Sequence, residues 1–341
     1  MHEPALRAAA FGDDPRPDPA AVRGGGSPRE RLLAAIVLGA QGRYAAAATL
    51  LGRLRQDRDP VTASLAASTL ASHRRQLGGH WQARGLDGEA FSKVAHLAIG
   101  DGSGGGGEVA HPASGHHPAG GEVARLATGD GPAGEEVARL ATGHGPAGAE
   151  AARPFTGQDP DGLDAPGARA DALLGLAADN LALGRLPAAR RLAQRASAED
   201  PRWRATVRGG WVGAEIALAA GQGAEAVPHA ERALETALAR GARRHVVKSR
   251  IVLAVALRAA GAPDHRQISD DLVGNAMATA EECELLSLSW PAALVAADLR
   301  PGHAEEYRFR VAQVLHAVLR SADPCGRRVA GESPWVPVPG G

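Results

Sequence analysis

Aromatic residues, cysteine and lysine are scarce in this chain, and each scarcity narrows what it can be. Aromatic side chains make up 3 % of the 341 residues, so the core must be built from Ala, Leu and Val. Side chains of that size suit closely packed helices and give little to a sheet, which favours β-branched and aromatic residues. The two cysteines, Cys283 and Cys325, allow at most one disulfide. A disulfide framework or a Cys-based zinc site is excluded. Of the 38 basic residues only Lys93 and Lys248 are lysines. With abundant Ala and Gly, that reads as the codon bias of a GC-rich reading frame and not as selection for arginine chemistry.

Net charge is missing too. The 38 acidic and 38 basic residues balance, so no global field steers the chain towards nucleic acid or an anionic membrane. The longest apolar stretches, such as "IVLAVAL" from Ile251 to Leu257, are far too short to span a bilayer. The first residues carry acids and prolines where a signal peptide needs a basic start and an apolar run. The expected address is cytoplasmic.

The chain divides by composition. Residues 1–27 and 322–341 are rich in Pro, Gly and charge and read as disordered tails. Blocks 28–98 and 165–321 show a recurring pattern in which an apolar helix ends at a glycine and a second Ala-rich helix follows. Examples are "LLAAIVLGAQGRYAAAATLLGRL" and "ALLGLAADNLALGRLPAARRLAQRA". The turn glycines are Gly42, Gly78, Gly184, Gly221, Gly261 and, more weakly, Gly302, separated by 36, 106, 37, 40 and 41 residues.

The long interval holds residues 99–164, which contain a 14-residue unit in four copies from Gly107 to Gly162. The copies "GDGPAG" and "GHGPAG" spell a dinucleotide-binding fingerprint, yet no buried strand precedes them and no hydrophobic helix follows. They are not phosphate loops. Each copy offers about seven helix-competent residues between breakers, below the ~12 that an isolated helix needs, so disorder is expected. The array's histidines His111, His116, His117 and His144 lack fixed ligand spacing, and no metal or cofactor site is expected.

A helix–turn–helix unit repeating every 34 to 40 residues is the signature of a helical solenoid. The residues resemble the tetratricopeptide repeat (TPR), with a small residue in the first helix, a glycine at the turn and an alanine five residues later. The matches are Ala35, Gly42 and Ala47; Ala71, Gly78 and Ala83; Ala177, Gly184 and Ala189; Ala214, Gly221 and Ala226. A fifth unit has Ala254 and Gly261, but Arg266 where alanine is expected. The resemblance implies an all-α, right-handed solenoid of about five to six units, with the array inserted in one loop.

It also implies a concave groove lined by the first helices. The family's groove positions fall on Asp171, Arg208, Trp211, Glu215, Lys248 and Arg258. Helical spacing independently places Arg204, Arg208, Trp211 and Glu215 on one stripe, and Arg244 with Lys248 on the next first helix. These residues fit an interface anchor, an aromatic beside arginines. They fit equally a solvated face, with Trp203 and Trp211 filling an Ala-rich core. No nucleophile elbow, metal-ligand helix or basic recognition helix stands out. The expected function is a non-catalytic scaffold binding an acidic or C-terminal peptide or protein segment, with no nucleic acid or membrane partner. The other reading is a regulatory or sensory module acting with a transcription regulator.

Overall fold

A computed structural model describes residues 3–16, 22, 26–97 and 158–337. The 14-residue copies before residue 158, with their fingerprints and histidines, lie outside the described residues. Among the described residues every regular element is helical. The order is α1 (Glu3–Phe11), α2 (Pro28–Ala40), α3 (Tyr44–Leu54), α4 (Pro60–Gln76), α5 (His80–Val94), α6 (Ala165–Ala182) and α7 (Leu186–Glu199). It continues with α8 (Trp203–Ala219), α9 (Gly223–Ala239), α10 (Arg243–Ala260), α11 (His265–Glu282), α12 (Leu286–Leu299), α13 (Ala304–Arg320) and α14 (Pro324–Glu332).

Local sequence sets the starts. Ser27 and Glu30 form a reciprocal capping box ahead of α2. Asp59, Asp164 and Asp323 cap α4, α6 and α14 through their side chains, each followed within two residues by a proline suited to the first helical turn. The turns inside five helix pairs use Gly42, Gly78, Gly184, Gly221 and Gly261 at φ of 73, 78, 73, 75 and 77°. That left-handed conformation is where glycine has no Cβ penalty. Gly302 sits instead in a 3-10 turn at Pro301–His303, so the last turn is built differently.

Successive helices pack in pairs: α2 on α3, α4 on α5, α6 on α7, α8 on α9, α10 on α11 and α12 on α13. The nine alanines of the sequence pattern, Ala35, Ala47, Ala71, Ala83, Ala177, Ala189, Ala214, Ala226 and Ala254, are all 0 % exposed. Small side chains there let the helices approach closely while Leu and Val fill the layer behind. Arg266, the exception to the pattern, is exposed.

The pairs form a ring. The first helices touch in the order α2, α4, α6, α8, α10, α12, and α12 then touches α2 again. Tyr44, fully buried at the start of α3, packs in one cluster with Trp290, Val311, Leu315 and Val318 from the other end of the chain. Ala45 N–H donates to the Ser321 carbonyl at 2.8 Å across the same seam. The residue patterns implied stacking into a superhelix; they did not reveal this closure.

Both tails depart from the expectation of disorder. In α1, Leu6, Ala9, Ala10 and Phe11 are buried against α2 and α10. In α14, Val329 and Ala330 are buried, and Val336 beyond it is 5 % exposed. Each tail has just enough apolar surface to dock on a preformed wall, which composition averaged over 20 residues conceals. The last residues of the expected insertion are likewise built into the fold. Asp159 and Asp161 bind Arg7, Asp159 also binds Arg29, and Asp164 pairs with Arg202. The insertion leaves and returns close together, since Arg169, shortly after it, donates to the Leu97 carbonyl at 2.9 Å.

Candidate functional site

The ring encloses a cavity of roughly 770 Å³ to which all six first helices contribute. The positions six residues before the turn glycines, Ile36, Ser72, Ala178, Glu215 and Val255, all line it. So do four of the positions ten residues before, Ser68, Leu174, Trp211 and Ile251. Helical periodicity therefore points one stripe of every first helix inward. Successive helices also step along the ring axis. The cavity meets α4 over Ser68–Gln76 near its C-terminus, α10 over Arg244–Val255, and α12 only in its first turns, Ser287–Pro291.

Seven of the eight groove residues read from the sequence, Asp171, Arg204, Arg208, Trp211, Glu215, Arg244 and Lys248, line this cavity. Arg258 does not. The axial step carries the C-terminal turn of α10 past the cavity, and Arg258 is exposed beside a separate hollow of about 300 Å³ at Gly261 and His265.

The cations of the interior differ in how they are paired. Arg204 bonds Asp171 at 2.7 Å and donates to the Asp161 and Gly162 carbonyls at 2.6 and 3.0 Å. It is a structural staple. Arg208 shares the same Asp171 carboxylate. Arg75, which sequence reasoning passed over, bonds Asp87 and Asp179. Desolvation opposes its charge, but the two carboxylates outweigh that and hold the guanidinium protonated. Lys248 lies 3.8 Å from Glu215. Burial pushes Arg244 down to about 10, helped by Arg208 and Arg204, so it stays charged at neutral pH. Among the described residues Arg244 alone of these five cations has no carboxylate within ion-pair distance.

Trp211 is not a free platform. Its indole Nε1 donates to Ser249 Oγ at 2.8 Å, His245 stacks on it at 5.6 Å, and the Lys248 ammonium lies 4.5 Å from the ring centroid. All three partners belong to α10, so Trp211 ties α8 to α10 while lining the cavity. The basic residues Arg244, His245, Lys248 and Arg250 of α10 split in two. The first three face the interior, whereas Arg250 is buried on another side of α10 near Thr279.

Buried titratable groups cluster here. Burial drives His73 down to about 3 and His245 well below 6.5, with neighbouring arginines adding to the effect. His73 fits against α2 only because residue 39 is glycine: a Cβ there would lie 1.9 Å from the His73 Nε2. Burial and Asp179 raise Asp87 to about 8 against the pull of Arg75. Asp87 stands behind Arg75, outside the cavity wall. His80, 3.3 Å from Asp179 through Nδ1, is the interior's closest approach to an acid–base dyad.

Sequence reasoning also missed Phe11, Trp290 and Trp335, which line the cavity from α1, α12 and the segment after α14. For Phe11 and Trp335 no signal existed, because both lie in stretches whose composition reads as unfolded.

Among the described residues no three His, Cys, Asp or Glu side chains are grouped to hold a metal ion, and no helix is long and apolar enough to cross a membrane. The architecture defines an all-α protein of repeating helix–helix pairs, of the helical-repeat kind. No protein-family model matches the sequence, and no curated protein matches it.

Proposed function

We propose that this chain is a non-catalytic, TPR-like binding module of right-handed helix–turn–helix units, acting in the cytoplasm. Its inner wall receives an acidic or C-terminal segment of a protein partner. The observation that carries this reading is the convergence of seven groove residues on one basic, partly apolar interior that keeps one cation unanswered. Arg208 and Lys248, each sharing its carboxylate only loosely or with a second cation, supply charge-assisted contacts to a partner carboxylate. The perturbed groups owe their shifts first to burial, which suits a packed wall as well as it suits chemistry.

A peptide array of acidic internal and C-terminal segments, probed with the intact chain, tests this. Arg208→Gln is expected to weaken the captured segment roughly five- to a hundred-fold, the range of about 1–3 kcal/mol for an interface hot spot. Capture that is indifferent to Arg208→Gln and Lys248→Gln overturns the reading.

A second reading, a sensory module acting with a transcription regulator, is favoured by one observation. The first helices ring the cavity completely, and roughly 770 Å³ falls within the range of small-molecule sites.

A further inference from the structure

The inference rests on that second reading, the interior as an enclosed ligand site. One part of its wall carries polar atoms with nothing to bond. Among the described residues Ser287 Oγ, Trp290 Nε1 and His73 Nδ1 have no hydrogen-bond partner, although the residues are 1 %, 7 % and 2 % exposed. Most buried polar atoms are paired, because an orphan loses its water without replacement. All three residues line the same cavity as Arg244. The Arg244 charge acts on His73 and Tyr44, and Tyr44 packs in one cluster with Trp290. His73 lies 5.3 Å from the Tyr44 ring, and Tyr44 shares a cluster with Trp290, so these orphan groups belong to one side of the interior. Ser287 and Trp290, three residues apart in the first turns of α12, share one face of that helix.

Charge and shape narrow the ligand. Among the described residues Arg244 is the one interior cation of the five with no carboxylate within ion-pair distance, so one cation is left unanswered. One negative charge balances it. A carboxylate offers about four acceptor positions, enough for the guanidinium fork, a hydroxyl and an indole N–H together. The α6, α8 and α10 sectors of the wall carry Leu174, Leu181, Val212, Leu218, Ile251 and Val255.

We propose that the ring interior binds a small organic monocarboxylate with an apolar body. Arg244 grips the carboxylate, Ser287 Oγ and Trp290 Nε1 donate to it, and the body lies along the aliphatic wall of α6, α8 and α10. The ligand is a free acid, because roughly 770 Å³ is of small-ligand size.

Calorimetric titration of the intact chain with octanoate and 3-phenylpropanoate, each beside its amide, tests the proposal. Ala-Ala-Phe as free acid and as amide forms the peptide arm. At least one small acid is expected to bind, with its amide tenfold weaker or more. Arg244→Gln is expected to weaken the acid at least tenfold with the helical circular dichroism unchanged. Ser287→Ala and Trp290→Phe should each weaken it several-fold, and they serve as the readout should Arg244→Gln misfold. Equal binding of acid and amide, or affinity indifferent to all three substitutions, overturns the proposal. Binding of the tripeptide acid alone overturns it while leaving the partner-segment reading standing. Failure of every probe at millimolar concentration overturns both the proposal and the enclosed-site reading.

Discussion

Arg74 and Asp323, 249 residues apart in sequence, form a two-pronged ion pair at 2.7 and 3.0 Å. The contact joins α4 to the cap of α14, and Asp323 accepts the Gly326 N–H as well. Asp323→Ala thus removes a helix cap and leaves a buried guanidinium unanswered. A loss of about 3 kcal/mol is expected in urea denaturation. Desolvation opposes its charge, but Arg74 and the Gly326 N–H outweigh that and hold the Asp323 carboxyl below its usual range. Its contribution is therefore full at neutral pH and disappears as the pH falls below about 4. A variant as stable as the parent would show that the C-terminal helix docks without the pair.

Two deletions separate the repeat array from the segment that follows it. Removing 107–157 shortens a loop whose flanks are joined by the 2.9 Å bond from Arg169 to the Leu97 carbonyl. It should change stability by under about 2 kcal/mol, at ~0.6 per doubling of loop length. Removing 107–162 also takes Asp159 and Asp161, which hold Arg7, Arg29 and Arg240. That larger deletion should melt well below the smaller one. Equal melting temperatures would count against the docked segment.

His245 links stability to pH. Its folded pKa lies well below 6.5, so below that pH the unfolded chain takes up a proton that the folded chain refuses. Stability therefore falls as pH falls, by about 1.4 kcal/mol per pH unit for one such group. Asp87, raised to about 8 from 3.8, works in the opposite sense between those values. Comparing parent with His245→Phe cancels Asp87. Between pH 6.5 and 5 the variant should lose about 2 kcal/mol less, read from urea midpoints at both pH values. Parallel losses would mean that the imidazole is protonated inside the fold.

Trp211→Phe keeps a ring beside His245 and Lys248 but deprives Ser249, a fully buried residue, of its donor. A cost of about 1–2 kcal/mol is expected, against about 2–4 for Trp211→Ala, which also opens a void. The contacts to α10 make the alanine variant a stability variant as well as a probe of binding. Ala214→Leu, at a 0 % exposed helix contact, should overpack by about 1–3 kcal/mol. Thermal melts that leave all three at the parent value would overturn this packing.

Legibility followed period. Helices, turn glycines and buried alanines were readable because each recurs at a fixed offset and each has a local cause, a left-handed turn or a close approach. Seven interior residues were readable for the same reason, since the offset from Gly184, Gly221 and Gly261 fixes which way a side chain points. Arg258 escaped because the offset carries no information about axial rise, which decides whether an inward stripe still faces the cavity. Arg75 and Trp290 escaped because their partners, Asp179 for one and the Tyr44 cluster for the other, come from distant units. The closing of α12 on α2 depends on the summed curvature of all the helix pairs, and no short stretch encodes a sum.

An open stack of helix pairs can gain or lose a pair at either end for the sake of one interface. A ring has no end. A further helix pair inserted here would hold α12 away from α2, strip Tyr44 of its cover and pull Asp323 out of reach of Arg74. Growth by whole units is therefore closed to this architecture, while growth within a connection that leaves and re-enters close together is nearly free of penalty. The duplicated 14-residue copies sit at such a connection, between Leu97 and Leu163, where the chain can lengthen without changing the circumference.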